Sequence, residues 1–194
     1  MSNFDQLIFN NFNKHISLSE AEQSYVLTLL KEKMVLKKDC ILQQGGRCNK
    51  IYFVESGSMR AYNINEDGKE STIMFALSDW WITDMGSFVN QQSSDLTIVA
   101  LEDSKLIELE YSNLQLLYKE LPVFERFFRI LFQNAYIREQ RRAFYNISMS
   151  TEERYFQFMN KYPEMVMKIT QKQIASYLGV TPEFLSLIKK KIDS

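Results

Sequence analysis

The side chains with the most chemistry to offer lie near the C-terminus. Glu183, Ser186, Leu187 and Lys190 recur at spacing i, i+3, i+4 and i+7, which places them on one face of a helix, with Leu185 and Ile188 on another. Ahead of them Thr170-Gln171-Lys172-Gln173 forms a capping box that opens a shorter helix carrying Ile174, Ala175 and Leu178 on its inner face. Gly179-Val180 breaks that helix. Thr181-Pro182-Glu183 then starts another with a hydroxyl N-cap, proline at the first helical position and an acid in the first turn. Helix, glycine-containing turn and helix is the pattern of a helix-turn-helix. Small Ala175 lets the helices approach, while Val180, Leu185 and Ile188 fill the angle between them.

The chemistry of such a unit is recognition of duplex DNA, its second helix entering the major groove by the N-terminal end. Thr170, Gln171 and Lys172 are then placed to hold phosphates, with Thr181 at the start of the reading helix. Glu183, Ser186 and Leu187 face bases, and Lys189 and Lys190 the backbone. From Met165 to Ser194 five lysines stand against two acids, a balance of +3 that concentrates phosphate-neutralising charge where the motif needs it. Leu187 cannot make the bidentate guanine contact of an arginine but can pack on a thymine methyl. The terminal lysines also suit a solvated helix end, where they complement the dipole.

The rest of the composition narrows the alternatives. The chain has 194 residues, of which 45% are hydrophobic and 24% charged, and its net charge is −1. That describes one large or two small globular domains and gives no global preference for nucleic acid. With two cysteines, Cys40 and Cys48, and one histidine, His15, no catalytic residues and no metal site are expected, and a jelly-roll dioxygenase or isomerase, which needs two histidines at its metal, is excluded. No signal peptide and no long apolar run are present, so no membrane association and a cytoplasmic location are expected.

The elements that must position the motif fall in three zones. Phe4 to Lys33 is expected to be helical, with Ser17-Leu18-Ser19-Glu20 capping a helix over Ala21 to Lys33. From Met34 to Glu110 short apolar runs alternate with turns, the strands being expected at Ile41-Leu42, Ile51 to Val54, Met59 to Ile64, Ser71 to Phe75, Thr97 to Leu101 and Leu106 to Leu109. Asn65-Glu66-Asp67-Gly68 reads as a hairpin turn with glycine in the left-handed position. Such strands make a sandwich or jelly roll. From Val123 to Asn146 a helix of about 36 Å places Phe124, Phe127, Phe128, Leu131, Phe132, Ala135 and Tyr136 on a face broad enough for two surfaces. A partner helix is the natural second surface, a single long core helix the alternative. Its far end is basic, with Arg138, Arg141 and Arg142. Ser150-Thr151-Glu152-Glu153 caps a further helix to Lys161, which Pro163 closes.

In this order, a jelly roll, a long aromatic helix and a helix-turn-helix resemble the Crp/Fnr superfamily of bacterial transcription regulators over essentially the whole chain. Ile51 to Arg60 followed by Glu66 to Glu70 looks like the hairpins of that family's cyclic-nucleotide-binding-type β-roll. Ala100 to Ser104 looks like the start of its last strand pair, and Ile169 to Ile192 like its DNA-reading unit. The Trp80-Trp81 segment and the short C-terminus are similar to those of Bacteroidetes-type members. The implied fold is α+β: N-terminal helices and a double-stranded β-helix (jelly roll) sensor over residues 1–120, a long dimerisation helix over 121–147 seamed by Phe124, Phe127, Phe128, Leu131 and Ala135, and a C-terminal helix-turn-helix domain without a full wing over 148–194. The implied function is a homodimer that reads a palindromic site, its half-sites about one helical turn apart. Double-stranded DNA, a second copy of the chain and RNA polymerase are the implied partners. Without a wing, affinity would be lower and the dimer more necessary.

The departures from the family pattern concern the effector. Cyclic-nucleotide-binding members carry Phe-Gly-Glu-Leu and then Arg-x-Ala. Here the Gly-equivalent is Thr83, the Glu-equivalent Asp84, the Arg-equivalent Ser94 and the Ala-equivalent Leu96. No guanidinium remains to pair a cyclic phosphate, and Asp84 would repel one, so cyclic AMP is not the expected effector. The pocket expected from Trp81, Thr83, Asp84, Met85, Ser94 and Leu96 either takes another, unidentified small molecule or is filled, with Trp80, Trp81 and Met85 as stoppers. The cysteine cluster of the oxygen-sensing branch has no counterpart, since no cysteine precedes Cys40. Effector control would act through two states of a hinge at Ile147 to Ser150. A ligand-binding or protein-interaction module that has lost DNA reading is the rival expectation, separated from the first by the salt dependence of duplex binding.

Overall fold

The structure, a computed structural model, describes the backbone of residues 3–192. Two N-terminal helices, α1 (Asn3–Asn13) and α2 (Glu20–Leu29), lead into eight antiparallel strands. One sheet has the order β1 (Leu30–Val35), β8 (Ser104–Glu110), β3 (Lys50–Ser56), β6 (Trp80–Ile82). The other has the order β2 (Cys40–Leu42), β7 (Thr97–Ala100), β4 (Ser58–Ile64), β5 (Glu70–Leu77). A short helix α3 (Met85–Asn90) interrupts the roll between β6 and β7. Six helices follow: α4 (Tyr111–Glu120), α5 (Val123–Ser148), α6 (Thr151–Lys161), α7 (Pro163–Lys168), α8 (Gln171–Leu178) and α9 (Pro182–Ile192). The fold is the mixed α+β jelly roll with a helical C-terminal region that the sequence leads one to expect.

Strand β3 shows why the roll forms. Ile51, Tyr52, Phe53 and Val54 are all buried, the signature of a strand covered on both faces. Tyr52 donates its hydroxyl to the Ile41 carbonyl of the facing sheet at 3.3 Å, whereas Phe53 sits opposite Trp81 on β6. Trp81 is covered in turn by Phe12 of α1 and by Phe127 and Phe128 of α5. The Asn65–Gly68 turn is as expected, with Gly68 at φ 76° and its amide donating to the Asn65 carbonyl at 2.9 Å.

Three local expectations are corrected. The helix expected over Ala21 to Lys33 ends at Leu29, and Leu30 to Val35 pairs instead with Leu109 to Ser104 as β1. Leu30 and Val35 are buried at its two ends while Lys31 and Glu32 are exposed between them, so sheet pairing overrides helical spacing. Pro163 does not only end α6 but opens α7 at its first position, where its missing amide costs nothing. Phe124, Phe127 and Phe128 are 0–1% exposed in the protomer's own core and are not available to a partner helix.

Gly57, at φ 91°, makes the tight β3–β4 turn, where a Cβ would overlap the Ser104 hydroxyl. That hydroxyl accepts from the Ser58 amide at 3.2 Å and donates to the Glu102 carbonyl at 2.8 Å, so it has nowhere to go. Gly57→Ala is expected to lower the unfolding free energy in urea by about 2 kcal/mol or more.

Candidate DNA interface and effector cavity

The C-terminal pair is built by its caps. Thr170 accepts from the Gln173 amide at 3.2 Å and Gln173 returns the bond to the Thr170 amide at 2.8 Å, which starts α8. Gly179 at φ 73° ends it, and its amide and that of Val180 turn back onto Ser176 and Ala175. Thr181 accepts from the Phe184 amide at 3.2 Å and starts α9. Ala175, Leu178, Leu185 and Ile188 are buried between and beneath the two helices.

The outer surface holds the expected contact residues. Thr170, Gln171, Lys172, Thr181, Glu183, Leu187 and Lys190 are exposed, and Ser186 and Lys189 half-buried. Ser186 donates to the Pro182 carbonyl at 2.9 Å and accepts from Gln171 at 3.0 Å, so these two polar side chains hold each other across the turn. Lys191 pairs with Glu152 of α6 at 2.9 Å. Sequence reasoning passed over Phe184, 48% exposed beside Leu187 at 63%. Its position one turn from Ile188 does not separate core from surface, and only the packing shows that it faces out.

The pair is docked on the roll through β5. The Ser176 hydroxyl accepts from the Thr72 amide at 2.9 Å and donates to the Glu70 carbonyl at 2.8 Å. Arg142 of α5 donates to the carbonyls of Thr72 at 3.0 Å, of Tyr177 at 3.2 Å and of Ile73. Phe75 packs with Phe158 and Tyr177. Lys168 bonds Glu102 at 2.6 Å and holds that carboxyl below the usual range, against an opposing push from burial.

The roll contains a cavity of about 520 Å³ between its strands and α5. Five of the six expected pocket residues, Trp81, Thr83, Asp84, Met85 and Leu96, line it. Trp81 is fixed in the core, its indole donating to Asn11 at 2.9 Å, while half-buried Trp80 faces the cavity, so the tryptophans and Met85 narrow the space without filling it. Leu131 and Ala135, expected on a dimer seam, also form its wall. Ser94 lies behind Asp84 rather than in the lining. The buried Asp84 carboxylate caps α3 and accepts from the amides of Ser87 at 3.3 Å and Asp95 at 2.8 Å and from the hydroxyls of Ser87 at 2.9 Å and Ser94 at 3.1 Å. The Arg-equivalent position thus carries a hydroxyl that is turned to the protein's own Asp84 carboxylate.

Cys48 is buried beside Thr83, and burial pushes its thiol up, whereas Cys40 is exposed. His15 lies against Phe127 with its carbonyl accepting from Arg126 at 3.1 Å. Among the described residues no cluster of three or more His, Cys, Asp or Glu is placed to hold a metal, and no helix is long and apolar enough to cross a membrane.

Comparison with known proteins agrees with this architecture. Residues 32–120 match the cyclic nucleotide-binding domain family. The regulatory protein HlyX of Actinobacillus pleuropneumoniae is 26% identical over 182 residues, covering 88% of this chain and 75% of that protein. The c-di-GMP-responsive global regulator CLP of Xanthomonas campestris superposes with a TM-score of 0.74 at 15% identity, covering 88% of this chain and 89% of the other. FixK2 of Bradyrhizobium japonicum superposes with a TM-score of 0.70 at 17% identity, covering 84% of each. The chain shares the fold of these proteins, a cyclic nucleotide-binding-type roll followed by a helical C-terminal region. These relatives lend the Bacteroidetes-type resemblance no support.

Asp84→Ala is expected to strand the Asp95 amide and the Ser87 hydroxyl and to destabilise the roll by about 2 kcal/mol in urea, with Ser94→Ala costing about 1 kcal/mol.

Proposed function

We propose that the chain is a homodimeric transcription regulator that reads a palindromic DNA site with α9 under the control of the roll. In this reading residues 1–120 sense, 121–147 join two protomers and 148–194 bind DNA, and the protein works in the cytoplasm with RNA polymerase as a further partner. It is not an enzyme. The observation that carries the reading is the two-sidedness of α9. Leu185 and Ile188 are consumed by packing on α8, which leaves Glu183, Leu187 and Lys190 exposed on the other side of the helix.

The dimer reading rests on the far half of α5. Beyond its anchored phenylalanines, Ile130, Gln133, Ile137, Gln140, Phe144 and Ile147 repeat at alternating steps of three and four, the seam of a two-stranded coiled coil. Ile137, Phe144 and Ile147 are 44%, 63% and 88% exposed, apolar surface that a second α5 would cover. The effector fits the roll cavity, and the satisfied Asp84 network supports a ligand other than cyclic AMP. Ile51, Ile73, Met74, Ile82 and Leu96 in the wall suit a largely apolar molecule.

The test is selection of genomic fragments by the purified protein at moderate salt. Enrichment of a palindrome is expected, with affinity falling steeply as salt rises. Lys189→Ala/Lys190→Ala is expected to weaken binding evenly across sequences and to reduce the log-log salt slope by about 2. A shallow slope without enrichment would favour an interaction module that has lost DNA reading, a second reading to which exposed Phe184 and Leu187 lend weight.

For the seam, Phe144→Glu/Ile147→Glu is expected to convert the dimer to a monomer in sedimentation velocity while leaving the urea midpoint of the roll in place. Half-site spacing would then cease to matter for DNA affinity.

A further inference from the structure

A cleft of about 70 Å³ lies where α5, α6 and α8 meet, outside the roll cavity. Five cations line it, Arg138, Arg141 and Arg142 from α5 and Arg154 and Lys161 from α6, and no carboxylate does. Glu139, outside the lining, is shared between Arg138 at 3.2 Å and Arg142 at 3.6 Å. Arg154 is held by neutral acceptors alone, Asn146 at 2.8 Å, the Leu178 carbonyl at 3.0 Å and Thr151 at 3.1 Å. Arg141 makes no hydrogen bond or ion pair among the described residues, and Lys161 only lies over the Tyr162 ring. Glu139 shared by two of the arginines, Arg154 on neutral partners and two further cations without a hydrogen bond or ion pair leave a positive field that the lining does not neutralise.

We propose that this cleft binds a phosphorylated small molecule. Its volume is on the order of two water molecules in the liquid, the scale of a phosphoryl group. The guanidinium forks supply the planar donors that phosphate oxygens accept from. The organic remainder has a place as well. Arg138, Arg141, Lys161 and Tyr162 also border a wide open shelf that runs past Trp80, with Glu164 as its only acid. Trp80 and Tyr162 pack edge to face there with ring centres 6.1 Å apart, Arg138 lying over Trp80 at 5.4 Å and Lys161 over Tyr162 at 5.2 Å from the ring centre, so the shelf sets aromatic surface beside the cations. A ligand so held touches the long helix, α6 and the first helix of the C-terminal pair at once and ties the reading unit to α5. This inference does not depend on whether the chain reads DNA.

The test is calorimetric titration of the full chain with AMP, pyrophosphate and adenosine, repeated on Arg141→Gln/Lys161→Gln. Neither residue holds the fold by a hydrogen bond or ion pair, and an unchanged near-UV circular dichroism spectrum would confirm that the variant is folded. Saturable binding of AMP and pyrophosphate at millimolar concentration or below is expected, with adenosine at least about tenfold weaker and the double variant weakened at least about tenfold. Neither substituted residue lines the roll cavity, so that loss would locate the ligand in the cleft. Four results would overturn the proposal: no saturable binding of AMP or pyrophosphate, adenosine equal to AMP, affinity unchanged in the double variant, or displacement of AMP by random-sequence duplex, which would make the cleft part of a DNA-contact face.

Discussion

The position of everything beyond the roll depends on one aromatic contact. Phe124 and Phe127 of α5 close on Phe12 with ring centres 5.1 and 4.9 Å apart, and Phe128 closes on Trp81 at 5.7 Å. Each such ring buries roughly 150–250 Å² when covered, so this cluster dominates the attachment of α5 to the β domain. A helix fixed at three positions within its first turn and a half has little freedom further along. Leu131 and Ala135 are thereby held as a cavity wall, and Arg142, almost four turns on, arrives where β5 presents its carbonyls. The same constraint sets which residues remain for a partner. With the phenylalanines consumed at one end, only the far half of the helix offers uncovered apolar surface.

Asp84 shows how a pocket can keep its architecture and change its chemistry. An arginine at position 94 would supply donors to an incoming anion. Here a serine supplies one to the protein's own carboxylate, joined by two amides and the Ser87 hydroxyl. A carboxylate bound by four donors is strongly held in a site of low dielectric, and an anionic ligand would have to displace it or lie against it. The cavity that remains beside it is lined mostly by apolar side chains. Its polar lining is Asn11, Thr83, Asp84 and Asn134 with two ion pairs, Lys14 with Asp79 and Arg138 with Glu139.

What was legible in the sequence is what local chemistry decides. The capping boxes at Ser150 and Thr170 and the left-handed glycines at positions 68 and 179 have their partners within a few residues, and each is found in the structure, as are strands at the apolar runs of β3, β4 and β8. The misreadings concern long-range partners. Leu30 to Val35 has helical spacing and becomes a strand only because β8 pairs with it. Phe124, Phe127 and Phe128 form an apolar stripe whose spacing is the same whether the far side is Trp81 or a second helix. Phe184 and Ile188 stand four apart on one helix, and only the position of α8 decides that Ile188 is buried and Phe184 is not. Ser176 carries no motif at all, yet it joins the two parts of the chain.

That joint is an edge-strand problem with a specific solution. Strand β5 ends its sheet, and an uncovered edge would leave amides and carbonyls without partners. The Ser176 hydroxyl takes the Thr72 amide and the Glu70 carbonyl, and Arg142 takes the carbonyls of Thr72 and Ile73, so the edge is capped by side chains of the helical region. Such a cap is exchangeable. The buried Arg60 guanidinium reaches Ser176 at 3.4 Å, but its nearer partners are Thr72 at 2.9 Å and Glu70 at 2.7 Å, both within the roll. Lifting α8 from β5 would therefore strand no charge. It would exchange a few hydrogen bonds for water and expose the contact of Phe75 with Phe158 and Tyr177. Under the proposed function, an effector in the roll cavity would bear on α5 through its wall, and only its difference in affinity between the capped and uncapped arrangements would move the C-terminal pair.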